Sequence, residues 1–224
     1  MDAPRFPRLK VCCIGSVAEA RLAVRLGADA VGLVGAMPSG PGVIPDDRIA
    51  EIARAVPPPV MTVLLTSATD ADTIARQADA AGVSAVQIVD RVGPAVWARL
   101  RVELPGRSLW QVVHVTGPEA VAEAERVARH VDVVLLDSGD PAAEVKTLGG
   151  TGRVHDWRIS RLIRERLDVP VFLAGGLRPG NVAEAVRDVG PFGLDVCSGV
   201  RTDGALGESK LAAFAAAAGV QQLA

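Results

Sequence analysis

Val131-Asp-Val-Val-Leu-Leu-Asp137-Ser138 reads as a strand buried on both faces: branched apolar residues dominate the run, and it ends in a carboxylate. An acid in that place sits where the chain leaves a sheet, at a mouth and not in a core. Asp137 is equally suited to closing a turn or capping a helix, and the segment alone does not choose. The residues that follow, 139–156, form a long glycine-rich stretch containing Gly149-Gly-Thr-Gly152. Loops of that length in a compact domain usually cover a site.

The same unit, a short β-rich run followed by an amphipathic stretch, extends outward in both directions. The spacing predicts strands over 9–14, 30–34, 60–65, 85–89, 109–115, 131–137, 169–173 and 194–197. Helices are expected over 16–26, 46–56, 68–81, 94–104, 118–129, 157–167, 179–189 and 208–218. Ser16-Val-Ala-Glu19 has the pattern of a capping box, Pro57-Pro-Pro59 stops the second helix, and Pro94 suits the first turn of the fourth. Eight strand-then-helix units fit a single (β/α)₈ barrel over residues 1–224, with 1–8 as an N-terminal extension. An open doubly wound sheet would need a glycine fingerprint after its first strand, and that is missing.

Composition narrows the functional classes. Hydrophobic residues at 49% and charged ones at 22% describe an ordinary folded chain, and no apolar run approaches the ~20 residues of a membrane span. The opening Met1-Asp-Ala-Pro-Arg is polar with no signal-peptide core behind it, so a cytoplasmic location is expected. A net charge of −2, with both signs mixed along the chain, gives no footprint for nucleic acid. Three cysteines, two of them adjacent, make neither a disulfide framework nor a zinc pattern.

In a barrel the chemistry gathers at the C-terminal ends of the strands. That rule singles out Cys12 and Cys13, the loop 37–44, Gln87, His114, Asp137, Gly175-Gly176 and Ser198-Gly199. Alternation along the first strand puts Lys10, Cys12 and Ile14 on one face and Val11 and Cys13 on the other. A lysine is better tolerated inside the barrel than under the helices, so Cys12 is expected inward and Cys13 outward. A strand cysteine is commonly a small packing residue, but an ammonium beside it would favour the thiolate. The glycines after strands seven and eight free backbone N–H groups at adjacent corners, which points to a phosphate site. His114, His130 and His155 receive no catalytic role from position alone.

Four stretches together resemble the phosphoribosylanthranilate isomerase family. They are Lys10-Val-Cys12, Asp137 with Gly149-Gly-Thr-Gly-Arg153-Val-His-Asp156-Trp157, Leu173-Ala-Gly-Gly-Leu177, and Asp195-Val-Cys-Ser-Gly-Val200. The resemblance implies an Amadori rearrangement of a small phosphorylated N-ribosyl substrate, with Asp137 as general acid and Cys12 as general base. Gly175, Gly176, Ser198 and Gly199, with Lys10, Gln87 and Arg201, are the expected substrate- and phosphate-binding residues. Such chemistry calls for no metal or organic cofactor, and a monomer or homodimer is expected.

The resemblance has gaps. The family's loop after strand two carries an arginine that holds the anthranilate carboxylate, and Gly42 stands in its place. Arg201 or Arg153 is expected to take over. The family's Val-Gln-Leu-His-Gly becomes Val86-Gln-Ile-Val-Asp90, its glycine after the first cysteine becomes Cys13, and a serine becomes Cys197. A paralogous isomerase with another aglycone, and a non-catalytic barrel binding a phosphorylated ligand, therefore stay open.

Overall fold

The computed structural model describes residues 6–38, 40–139 and 155–220. Eight parallel strands close into a barrel in sequence order: β1 (Arg8–Val11), β2 (Ala30–Val34), β3 (Met61–Thr66), β4 (Ala85–Ile88), β5 (Ser108–His114), β6 (Val133–Asp137), β7 (Val171–Leu173) and β8 (Gly193–Val196). Closure comes from β1 pairing with β8, Lys10 opposite Asp195 and Val11 opposite Val196. The helices α1 (Val17–Arg25), α2 (Asp46–Ala55), α3 (Ala71–Ala81), α4 (Pro94–Glu103), α5 (Glu119–Ala128), α6 (Trp157–Arg166), α7 (Val182–Val189) and α8 (Glu208–Ala218) alternate with them.

Local chemistry sets the helix starts. Ser16 Oγ accepts the Glu19 N–H, and Glu19 reaches back to the Gly15 N–H. Asp70 accepts from Thr73, which starts α3 at Ala71 and not at residue 68 as the sequence suggested. Gly82 and Gly190 end α3 and α7 in the left-handed conformation that glycine adopts without steric cost.

Burial falls in two layers. Leu109, Val113, Val134 and Leu136 face outward and pack with helix residues such as Leu100 and Ile163. Their strand neighbours Trp110, Val112, Val133 and Leu135 face inward with Val63 and Phe172. Trp110 and Phe172, with ring centroids 4.7 Å apart, fill the barrel. Gly193 has no room for a side chain against the Phe172 ring.

The strand limits depart from expectation where the backbone turns. β1 stops at Val11 because Cys13 takes φ +61°, a left-handed conformation that ends the extended run. It also begins at Arg8, which pairs with Gly193, so residue 8 belongs to the barrel and not to an extension. After β8 a 3₁₀ turn, Ser198–Val200, leads into a short antiparallel pair, β9 (Arg201–Thr202) and β10 (Ala205–Leu206), absent from the sequence reading.

Candidate active site

A cavity opens at the C-terminal ends of the strands. Cys12 from the end of β1, Gln87 from β4, Asp137 from β6, Gly175 and Gly176 after β7, and Ser198 after β8 all line it. Its apolar wall comes from Val34, Met37, Leu65, Val89 and Val112. Cys12 points inward because Gly32, on the neighbouring strand, leaves space: a side chain there would lie 2.9 Å from the Cys12 sulfur.

Cys13 does not lie under the helices. Its positive φ breaks the strand alternation, so its side chain also joins the cavity lining, with Sγ 3.5 Å from the Pro41 carbonyl oxygen. Ile14 is the residue that packs outward.

Beneath the cavity Lys10 is fully buried and donates to Asp195 Oδ2 at 2.9 Å. Burial alone would discharge the ammonium; Asp195 and the adjacent Cys12 outweigh it, and the lysine pKa rises. Lys10 is thus a buried counter-ion and does not line the cavity as expected of a substrate contact. Sequence reasoning passed over Asp195 as a site residue, although it lines the cavity and its Oδ1 is buried with no partner among the described residues. Asking which acid could neutralise an inward Lys10 would have found it.

Asp137 ends β6 with Oδ1 accepting the Ser138 N–H at 2.7 Å. Burial pushes its carboxyl above the usual range; His114, the Ser138 N–H and Lys10 oppose the rise, and Asp195 adds to it. His114 is the register partner of Asp137 on β5. Its Nε2 is 3.2 Å from the Val89 carbonyl oxygen, and its buried Nδ1 has no hydrogen-bond partner among the described residues. Asp137 and Cys12 thus line the same cavity, one presenting a carboxyl and the other a thiol.

The glycine corners are close-packed. Gly175 and Gly176 have φ of +83° and +64°, and a side chain on Gly175 would meet Ser138 Oγ at 2.7 Å. Gly199 lies against the Leu177 carbonyl, so the corners after β7 and β8 touch, but Gly199 itself is outside the cavity lining.

Arg201 does not face the cavity as a replacement for the family's arginine. Its guanidinium is 3.0 Å from Glu19 Oε1, donates to the Gly204 carbonyl at 2.8 Å, and is bonded to the Cys12 and Cys13 carbonyls. Asp90 is outside the lining too: its carboxylate accepts the Arg91 N–H at 2.8 Å, and Val89 takes the wall position. Gly149 to Gly152 and Arg153 lie outside the described residues. Among the described residues the charged groups in the lining are Asp137 and Asp195, both acidic.

The model of the N-(5'-phosphoribosyl)anthranilate isomerase family matches residues 9–217. The N-(5'-phosphoribosyl)anthranilate isomerase of Natronomonas pharaonis is 38% identical over 95% of this chain and 98% of its own. N-(5'-phosphoribosyl)anthranilate isomerase 2 of Methanosarcina mazei is 38% identical over 87% and 85%. Among solved structures, the phosphoribosyl anthranilate isomerase of Thermotoga maritima superposes with a TM-score of 0.83 at 27% identity, covering 96% of this chain and 99% of that one. Another, solved with reduced 1-(o-carboxyphenylamino)-1-deoxyribulose 5-phosphate, gives a TM-score of 0.80 at 25% identity over 96% and 99%. The chain belongs to the N-(5'-phosphoribosyl)anthranilate isomerase family.

Proposed function

We propose that the protein isomerises N-(5'-phosphoribosyl)anthranilate to 1-(o-carboxyphenylamino)-1-deoxyribulose 5-phosphate, a step of tryptophan biosynthesis. The observation that carries the reading is that Cys12 and Asp137, from opposite sides of the barrel, line one cavity. Asp137, whose carboxyl is pushed by burial toward the protonated form, gives its proton to the ribose ring oxygen as the ring opens to a Schiff base. The Cys12 thiolate then takes the C2' proton, and the enamine formed tautomerises to the ketone. Lys10, paired with Asp195, lies buried beneath the cavity on the same strand as Cys12.

The phosphate is assigned to the corners at Gly175, Gly176 and Ser198, where backbone N–H groups serve as donors, and Gln87 to a substrate hydroxyl. The aromatic ring fits the wall of Val34, Met37, Leu65 and Val89. The whole chain is read as one domain acting in the cytoplasm as a monomer or homodimer, with no nucleic-acid partner; a dimeric relative is known from Thermotoga maritima.

Turnover of N-(5'-phosphoribosyl)anthranilate by purified protein, followed by loss of substrate fluorescence, tests the reading. Cys12→Ser and Asp137→Asn should each lower kcat by about 100-fold or more while the protein stays folded. A wild-type rate in either variant removes that residue from the mechanism. Turnover of the analogue lacking the carboxylate, with none of the anthranilate substrate, would replace the substrate assignment.

A further inference from the structure

Asp195 enters the chemistry above only as the counter-ion of Lys10, which occupies one of its two oxygens. Along β8, Leu194 and Val196 pack outward with the helices, so alternation turns Asp195 inward. Its register partner on β1 is Lys10, whose ammonium donates to Oδ2 at 2.9 Å. The residue lines the cavity at 8% exposure, and Oδ1 is buried with no hydrogen-bond partner among the described residues. A carboxylate oxygen taken out of water and left unpaired is costly, and a donor placed in the cavity would remove that cost. Lys10 grips the far oxygen, so the direction of the near one is fixed before any ligand arrives.

The place of Asp195 in the barrel says which donor it meets. β8 lies beside β1, and β7 alone separates it from β6. Asp195 therefore stands between Cys12, at the end of β1, and Asp137, at the end of β6, and Asp137 is within electrostatic reach of it. β7 is followed by Ala174 and Gly175, which put no long side chain between the two acids. In the reaction assigned to this cavity Cys12 works at C2' and Asp137 at the ring oxygen, which C4' carries. The carbon between them is C3'. A 5'-phosphorylated ribofuranose has two free hydroxyls; the one on C2' becomes the ketone, and the one on C3' is left untouched by the chemistry.

We propose that Asp195 Oδ1 accepts a hydrogen bond from the substrate's 3'-hydroxyl, which makes Asp195 the residue that selects a ribosyl over a 3'-deoxyribosyl chain and fixes C2' at Cys12. Lys10 is then a positioning residue, acting on the sugar only through the carboxylate it holds. Ser198, at the corner assigned to the phosphate, follows Asp195 closely on the same strand end, so one segment grips the sugar at two points. The inference rests on the ribosyl substrate of the proposed function. The rival role for Asp195 is neutralisation of Lys10 alone, and that role is indifferent to the 3'-hydroxyl.

The experiment compares N-(5'-phosphoribosyl)anthranilate with its 3'-deoxy analogue, made by condensing anthranilate with 3-deoxyribose 5-phosphate, as substrates of the full chain. Wild-type protein should use the analogue with kcat/KM lower by about 10- to 100-fold, the loss of one hydrogen bond to a charged group. Lys10→Met combined with Asp195→Leu removes the acceptor without leaving an ammonium buried alone. Whatever its overall rate, this variant should use the two substrates within about threefold of each other, because the ratio cancels losses common to both. Equal use of both substrates by the wild type, or an undiminished preference in the double variant, would overturn the contact while leaving the proposed function standing. The wild-type comparison decides the matter even if the variant fails to fold. A wild-type protein inactive on the ribosyl substrate gives a different result, removing the proposed function and this contact together.

Discussion

The backbone at Gly42 runs so close to Cys13 that a side chain there would set its Cβ 2.5 Å from the Cys13 Cβ. Both residues have positive φ, +81° at Gly42 and +61° at Cys13. The loop after β2 can therefore approach β1 only without a side chain at residue 42, and the two positions have to be read together.

Gly42→Ala is expected to destabilise the protein by about 1–3 kcal/mol, from the contact and the left-handed backbone combined. Adding Cys13→Gly should recover part of that loss, with a coupling of roughly 1 kcal/mol in a double-mutant cycle followed by urea unfolding. Strict additivity would show that the two residues do not constrain one another.

Lys10 and Asp195 form a contact ion pair with the lysine side chain wholly enclosed. Lys10→Met leaves a carboxylate without its counter-charge and should cost about 3–5 kcal/mol, whereas Lys10→Met combined with Asp195→Leu should cost less than either single change. Midpoints of chemical denaturation for the three variants measure this. A double variant less stable than Lys10→Met would mean that the pair contributes more than mutual neutralisation.

His114 bears on the acid through charge. Burial raises the Asp137 pKa and His114 works against that rise, so His114→Asn should let the pKa climb further. An acid that must be protonated to act then keeps its proton to higher pH. The alkaline limb of the kcat profile should move upward in this variant, while a profile that scales in height without shifting would show only a packing role.

His155 provides a stability test. Burial lowers its pKa from 6.5 to about 4, and its Nε2 is 2.6 Å from Ser160 Oγ. The folded form thus favours neutral imidazole, and between these two pH values the unfolded chain binds more protons. Stability from this group is complete above the unfolded pKa and falls as the pH drops toward 4, by at most about 3 kcal/mol. His155→Asn should flatten the decline of Tm between neutral and mildly acid pH relative to wild type.

Periodicity carried the architecture, because buried parallel strands and amphipathic helices write their alternation directly into apolar spacing. It also located Cys12, Gln87, Asp137 and the corners at Gly175, Gly176 and Ser198, since a barrel gathers strand ends at one mouth. It misplaced Cys13 because alternation assumes an extended backbone, and nothing in the residue type announces a left-handed cysteine. Arg201 was misjudged for a different reason. Its partners, Glu19 and the carbonyls of Cys12 and Cys13, are distant in sequence, and spacing holds no record of which long side chain reaches which carbonyl.

The Arg201 contacts also impose an order on synthesis. They span 182 to 189 residues, and Lys10 waits 185 residues for its counter-ion. A nascent chain that has not yet extruded β8 holds a cation with nowhere dry to go and a first strand without its lateral neighbour. Assembly of the mouth is thus a late, all-at-once event, and fragments ending before residue 195 should be handled by the cell as unfinished polypeptide and not as partial enzyme.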